Sequence, residues 1–505
     1  MTENENESVN DDFDPDAVAL EALLSSGLIG GPDPSIIEEI KAEPDPTYQL
    51  ANDVALESRV QEIYEEISAR APEHNVQPSL SRVSDCLDLL GNPQNAYRSI
   101  HITGTNGKTS TARMIEALLR ERGLRTGRFT SPHLSSVRER ITLDGRAISA
   151  ADFIDTWEDV KPFIDLIDDR SVAHGGPRMS FFEVFTVMAY SAFAMAPIDV
   201  AVVEVGMGGQ WDATNVIDAD VSVLMTVAID HQKWLGSTLR EIATEKLGIL
   251  KEGKTLVCAP QDAEVMELVV QKVLNQHASL ILEGKDFTVV SRERAVGGQM
   301  MTIKTPAATY VDVPLAMIGA YQANNASVAI SAVEAFFGGG ALGGDVVEHA
   351  LMSTTSPGRL EIVKGSPAII VDAAHNPAGA LVTVEALEEY FPGPRVVVFS
   401  AMADKDVEGI LSNIEPAFSA IVVTEIGGPR AMDIEELESI ALDIFGEDRV
   451  IVEPDLGNAI TTAADIAETV DPDSVAPASV VVMGSIMLTA QAREILGARK
   501  PDGLA

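Results

Sequence analysis

Two cysteines, Cys86 and Cys258, in 505 residues exclude a disulfide framework and offer no metal-finger spacing. Both read as buried packing thiols in a reducing compartment, so the cytoplasm is the expected location. Basic side chains are also scarce: 36 Lys and Arg stand against 77 Asp and Glu, a formal charge of −41. A field of that sign repels nucleic acid and anionic membrane surfaces, and neither is expected as a partner. No apolar run approaches the ~20 residues that span a bilayer. The N-terminus is acidic, so neither a secretory signal nor a transit peptide is expected. There is no internal repeat. A hydrophobic share of 46% with 22% charged residues fits a globular chain long enough for two or three domains.

Residues 1–48 carry only acidic charges apart from Lys41 and read as an acidic disordered tail. Order is expected from about Asn52, with helices over 54–67 and 79–90, the second stopped by Gly91-Asn92-Pro93. Strand candidates 99–103, 199–205, 221–227 and 255–258 then alternate with helices that include 180–195 and 238–250. That alternation predicts a parallel sheet covered by helices. A hairpin is expected over 140–148, turning at Asp144-Gly145, and a small antiparallel patch over 289–313. A second alternating series has strands at 368–372, 395–400, 420–424 and 480–483. The expected fold is α/β: a P-loop ATPase domain over 49–317 and a smaller, Rossmann-like α/β domain over 318–505, divided near Met317.

The most informative stretch is the apolar strand ending at Thr103, followed by Gly104-Thr105-Asn106-Gly107-Lys108-Thr109-Ser110 and a helix. Glycines let backbone N–H groups turn toward an anion, and the helix N-terminus adds positive partial charge. A lysine reaches outer phosphates, and the Thr109 hydroxyl can touch a phosphate-bound Mg²⁺. This is a nucleoside triphosphate site, with ATP and Mg²⁺ as the expected cofactors. Glu204 and His231 each follow the C-terminal end of an apolar strand, where ligands of open α/β sheets gather. An acid and an imidazole beside a triphosphate read as Mg²⁺ ligands, although His231 alone would pass for an ordinary loop histidine.

The loop has only Thr105 and Asn106 between Gly104 and Gly107, and this shortened form resembles that of the Mur ligase superfamily. The motifs after it come in the order of the folylpolyglutamate synthase/dihydrofolate synthase family. They include Thr130-Ser131-Pro132-His133, Phe181-Phe182-Glu183, Glu204-Val205-Gly206-Met207-Gly208-Gly209 with Asp212-Ala213-Thr214-Asn215, and Asp230-His231. Glu139-Arg140-Ile141, Leu235-Gly236, Glu245-Lys246 with Gly248-Ile249, Gln322 to Ala326, Pro357-Gly358-Arg359, Asp372-Ala373-Ala374-His375-Asn376-Pro377, Asp404-Lys405-Asp406 and Gly484-Ser485 complete the set. The resemblance spans about residues 55–498.

The resemblance implies an ATP-dependent ligase that joins L-glutamate to dihydropteroate or to a reduced folate through an acyl phosphate, acting as a monomer. It implies Ser131, Glu204 and His231 as metal ligands. It implies a carbamylated Lys246 at a second Mg²⁺ position. Asn325, Arg359 and Asp372 become nucleotide contacts. His375 lies near the reacting phosphate or the incoming amino acid, and Lys108, Lys246 and His375 form the catalytic set. Ser485 reads equally as a substrate contact or a helix cap. Two departures from the family pattern stand out. Thr109 replaces a more usual glycine and restores a hydroxyl, while Gln210 replaces a more usual arginine and removes a positive charge. Two rival readings remain. One is a Mur-type ligase acting on a UDP-linked muramyl substrate, against which the segment before Gly104 offers no strand series for a UDP domain. The other is a nucleotide-dependent binding protein without ligase activity.

Overall fold

The computed structural model describes residues 46–71, 79–470 and 474–504. The acidic segment read over 1–48 lies outside them except for its last three residues, which begin helix α1 (Pro46–Ser68). The chain divides between Ser58 and Arg59, inside that helix, and the architecture below is that of the unit from Arg59 onward.

Helix α2 (Ser81–Leu89) precedes β1 (Arg98–Thr103), and the glycine loop leads from β1 into α3 (Lys108–Glu121). Strand β2 (Thr126–Phe129), the hairpin β3 (Ile141–Leu143) and β4 (Arg146–Ala147), and helices α4 (Ala150–Ala173) and α5 (Phe181–Met195) follow. Then come β5 (Val200–Glu204), β6 (Val221–Leu224), the short α6 (Gln232–Leu235), α7 (Leu239–Lys246), β7 (Thr255–Cys258), α8 (Ala263–Asn275) and β8 (Ser279–Leu282). The eight strands make one sheet in the order β4-β3-β2-β5-β1-β6-β7-β8. It is parallel from β2 to β8, and only the β3–β4 edge is antiparallel. β1 is thus interior, flanked by β5 and β6, so the loops after β1, β5 and β6 meet above one end of the sheet. Capping boxes start two of the helices. Ser180 with Glu183 caps α5, and Thr238 with Glu241 caps α7, each satisfying N–H groups that a helix end leaves open.

The expected antiparallel patch is a meander of β9 (Thr288–Ala295), β10 (Gly298–Lys304) and β11 (Thr309–Leu315). Helices α9 (Ala320–Phe336) and α10 (Gly344–Ser353) follow. The reading that closes the first domain at Met317 is corrected by their packing. Ala326, Val333 and Phe336 of α9 and Val347 and Leu351 of α10 share one core with Ile100, Ile115, Leu118 and Val223. Residues 318–353 therefore belong with the first sheet, and the division falls between α10 and the next strand. Element type changes at Met317, which is what the pattern registered, but the core that buries α9 does not change there.

The second sheet runs β12-β13-β17-β14-β15-β16, with β12 (Glu361–Gly365) antiparallel and β13 (Ala368–Asp372), β14 (Arg395–Phe399), β15 (Ala420–Val423), β16 (Val450–Val452) and β17 (Ser479–Met483) parallel. Helices α11 (Pro377–Tyr390), α12 (Val407–Ile414), α13 (Ile434–Phe445), α14 (Leu456–Thr469) and α15 (Ile486–Ile495) cover its two faces in separate cores. The architecture is a P-loop α/β domain with a smaller α/β domain beside it. Among the described residues no helix is long and apolar enough to cross a membrane.

Candidate active site

A cavity of about 420 Å³ opens where the strand ends of the two sheets face each other. From the first domain its wall takes the glycine loop, Ser131, Glu204 and His231. From the second it takes Arg359, Asp372, His375, Lys405 and Ser485.

The loop is held tightly. At Gly104, with φ of +149°, a Cβ would lie 2.5 Å from the Met225 Cβ, so only glycine fits against the β6 end. Thr105 N donates to Thr226 O (2.9 Å), and its hydroxyl donates to Ala228 O (3.0 Å). The Lys108 ammonium curls over the loop and donates to Gly104 O and Thr105 O, both at 3.1 Å. Burial pushes its pKa down, and the Glu204 and Asp230 charges oppose that shift.

Glu204, the last residue of β5, is buried and accepts from the Thr109 hydroxyl at 2.9 and 3.0 Å and from Ser131 N at 3.4 Å. Burial raises its pKa, with the Lys108 charge opposing. Three expected metal-site residues, Thr109, Ser131 and Glu204, are thus in one cluster. His231 is not in that hydrogen-bonded group. Its ring instead lies 3.9 Å from Asp230, across the same cleft. Among the described residues no three His, Cys, Asp or Glu side chains form a metal cage. One carboxylate with hydroxyl oxygens is nonetheless the donor set that suits Mg²⁺, which retains waters and takes its remaining ligands from substrate phosphates.

Lys246 ends α7 beneath the loop. It is 4% exposed, and its ammonium donates to Gly104 O at 2.9 Å. Gly209 makes the approach of α7 feasible, since a Cβ there would meet Lys246 O at 2.7 Å. Burial, reinforced by the Lys108 charge, pushes the Lys246 amine down to about 7. A substantial share is then the neutral, nucleophilic form at neutral pH. It lines a small cavity with Lys108, Asp230 and His231.

The nucleotide-contact expectations fall on the cleft wall. Asn325, on α9, sets its Oδ1 where a Cβ on Gly107 would be 2.8 Å away, and its amide donates to Gln322 Oε1 (3.0 Å). Asp372 is already committed to the chain. Its Oδ1 accepts from Ala374 N (2.8 Å) and the Thr383 hydroxyl (3.2 Å), and its Oδ2 accepts from Leu360 N (2.8 Å). It thereby fixes the strand-end turns that carry Arg359 and His375. Ser485 caps α15, accepting from Leu488 N at 3.0 Å, while also facing the cleft. Gln210 is exposed and is absent from the cleft wall.

Sequence reasoning missed the seam between the domains. The Lys405 ammonium donates to Asp230 Oδ1 at 2.6 Å, with both side chains 7% exposed. Asn376 donates to Asp230 Oδ2 (3.1 Å) and exchanges amide hydrogen bonds with Asn106 (3.1 and 3.2 Å) while capping α11. His375 Nε2 lies 3.5 Å from Asp230 Oδ2. Burial would raise the Asp230 pKa, but the His375 hydrogen bond and the His231 and Lys405 charges outweigh it and hold the carboxyl far below its usual range. The available signal was complementary charge in two motifs at strand ends, Asp230-His231 and Asp404-Lys405-Asp406.

Comparison with known proteins gives consistent results. The Mur ligase middle domain matches residues 178–333, and the Mur ligase glutamate ligase domain matches 358–486. The dihydrofolate synthase/folylpolyglutamate synthase of Mycobacterium tuberculosis is 45% identical over 450 residues, 85% of this chain and 92% of that protein. A solved folylpolyglutamate synthase of the same organism, complexed with ADP and AMPPCP, aligns with a TM-score of 0.84 at 43% identity, over 89% of this chain and 100% of its own. A solved FPGS–AMPPCP–folate complex aligns with a TM-score of 0.74 at 30% identity, over 86% and 99%.

Proposed function

The chain belongs to the dihydrofolate synthase/folylpolyglutamate synthase family of the Mur ligase superfamily, and from that premise we propose how its residues perform the ligation. The enzyme is an ATP-dependent ligase that adds L-glutamate to a folate-type carboxylate, dihydropteroate or a reduced folate. The observation that carries this reading is the placement of the Gly104–Ser110 loop opposite a second-domain wall of Arg359, His375, Lys405 and Ser485 in one cleft.

ATP lies with its phosphates over the loop, where α3 begins. Lys108 exchanges its carbonyl partners for phosphate oxygens and offsets charge on the phosphoryl group as it moves to the substrate carboxylate. Asn325 and Arg359 flank the nucleotide, and Asp372 orients the turns around it. Glu204, with the Thr109 hydroxyl, Ser131 and His231, would hold Mg²⁺, which when bound supplies charge neutralisation of the phosphates. Lys246, buried and poised near 7, is suited to capture CO₂ as a carbamate. The cation beside the loop would become an oxygen donor for a second Mg²⁺. His375 and Lys405 present cationic or hydrogen-bonding groups to the glutamate carboxylates. The glutamate amine then attacks the acyl phosphate carbon and phosphate leaves. The Asp230–Lys405–Asn376–Asn106 seam holds the domains together during that step, which keeps water from the acyl phosphate.

ADP release is expected only when glutamate and a pteroate or folate acceptor are both supplied. Turnover of UDP-muramyl acceptors with none of pterins would overturn the assignment.

A further inference from the structure

Asp502 is remote in sequence from the phosphate loop, yet it is buried against the helix that the loop opens. Its Oδ1 accepts from Arg113 Nη1 at 2.7 Å, and its Oδ2 accepts from Arg113 Nη2 and Arg128 Nη2, both at 2.8 Å. The Asp502, Arg113 and Arg128 side chains are 5, 11 and 2% exposed. Its carbonyl accepts from Ala147 N at 2.9 Å. One residue therefore ties α3, β2 and the β3–β4 hairpin together. Asp502 sits at a positive φ of 52° in a turn closed by Leu504 N donating to Pro501 O (3.1 Å).

The segment that delivers Asp502 comes from the other domain. Helix α15 starts beside Ser485 in the cleft wall. On its last turn Arg493 is ion-paired with Glu361 and donates to Arg499 O at 2.6 Å. Only Lys500 and Pro501 separate that held carbonyl from Asp502. Two residues reach at most ~7 Å, so α15 has little freedom to withdraw from α3 while Asp502 stays bound. The two helices begin at opposite walls of the cleft, α3 at Lys108 and α15 next to Ser485. Asp502 itself is absent from the cleft wall, so it reaches the chemistry only through them.

We propose that Asp502 is a positioning residue. By pinning the segment after α15 into the first domain, it sets how closely the second-domain wall approaches the phosphate loop. It thereby governs the attack by glutamate rather than the binding of ATP. The proposal rests on the reading that the second domain presents the amino acid.

The test uses the full chain with Asp502→Asn, which replaces one carboxylate oxygen with an NH₂ facing guanidinium donors. AMPPCP affinity is expected to stay within about twofold, while kcat/KM for glutamate falls about tenfold or more, the scale of an intramolecular coupling. Phosphate release should then exceed ligated product, because acyl phosphate is lost to water. Asp502→Glu should recover part of the coupling. Unchanged glutamate kinetics in the folded Asn variant would overturn the proposal. So would AMPPCP affinity and glutamate kinetics falling together with Tm, the result of a merely structural ion pair. If the variant does not fold, the wild-type chain supplies the decision. The pinned wall is the one that binds glutamate, so by linkage of binding free energies glutamate bound with AMPPCP must slow hydrogen exchange at the Ala147 amide, and an unchanged rate overturns the proposal. Wild-type enzyme lacking glutamate-dependent ADP release would overturn the parent reading and this one with it, and that result appears before any variant is made.

Discussion

Acidification should destabilise the first domain through His101, and the size of the effect follows from its surroundings. His101 lies on β1, fully buried, with Nε2 2.8 Å from the Thr214 hydroxyl oxygen. The Thr214 hydroxyl donates to Asp212 Oδ1 at 2.5 Å, so its oxygen must accept from His101 Nε2–H, which assigns the tautomer by partner. Nδ1 has no hydrogen-bond partner. A proton added there would be buried and unmatched, and burial together with the Lys251 charge pushes the imidazole down to about 3.

The sign follows from linkage. Unfolded His101 titrates near 6.5 and folded His101 near 3, so between those values the unfolded chain binds more protons and stability falls as pH falls. At pH 5 the loss is about 2 kcal/mol, with a slope approaching ~1.4 kcal/mol per pH unit below pH 6. Asp212, raised to about 6, and Glu283, raised to about 7, act in the opposite direction and flatten the wild-type curve. The informative quantity is therefore a difference. His101→Gln keeps an N–H donor toward Thr214 and removes the titration. Urea unfolding of both chains from pH 7.5 to pH 4.5 should show the wild type losing about 2 kcal/mol relative to the variant by pH 5. With m of about 3 kcal/mol/M, that is a relative midpoint shift of roughly 0.7 M. Parallel pH profiles would refute the buried, unpartnered imidazole as the cause.

Three further outcomes are expected. Lys405→Met leaves Asp230 charged and buried, a loss of about 3–5 kcal/mol for one partner of a buried pair. It should therefore cut kcat/KM for glutamate at least ~10²-fold while AMPPCP still binds, and adding Asp230→Asn should restore part of the lost thermal stability. Lys246→Ala should abolish turnover with the fold intact, and ¹³C-bicarbonate should give a carbamate resonance in the wild type that the variant lacks. An unmodified Lys246 with activity retained in the alanine variant would exclude the carbamate. Deleting residues 1–45, acidic by composition, should leave ligase activity within a few-fold and Tm nearly unchanged, as read by steady-state assay and calorimetry.

The strands of both sheets were largely legible because a buried parallel strand is a short continuous apolar run, and 199–205, 255–258 and 395–400 stand out as such. Four strands were not read: β2, whose Thr-Gly-Arg-Phe is buried without an apolar run, β8, partly exposed at the edge of the first sheet, and the two edges of the second sheet. β12 is a half-exposed antiparallel edge, and β16 is three residues long at the opposite edge. The strand–loop–helix of Gly104–Ser110 was legible because its geometry resides in contiguous backbone. The Thr109–Ser131–Glu204 cluster was legible in membership through resemblance. His231 shows the limit of that route, because its neighbours are set by the second domain.

What could not be read is whatever depends on two distant segments meeting. Asn106 was assigned to the nucleotide, yet its amide is spent on Asn376, 270 positions away. Asp230 and Lys405 stand in two separate motifs of the sequence, and only their burial against one another makes the pair costly to separate. The same holds for Asp502, which meets Arg113 of α3 and Arg128 of β2 across more than 370 positions of sequence. In a chain with more than twice as many acids as bases, a buried Arg or Lys is the scarcer partner, and several of the buried ones lie where the domains are fastened. Arg113 and Arg128 fasten the segment after α15, Lys405 fastens the seam, and Lys108 and Lys246 hold the glycine loop. The domain contacts and the glycine loop thus draw on the same small set of cations. Substitutions at these positions should accordingly move glutamate kinetics more than equal-sized changes among the abundant surface acids, which steady-state comparison of Lys405→Met with a substitution at an exposed acid such as Glu436→Gln would measure.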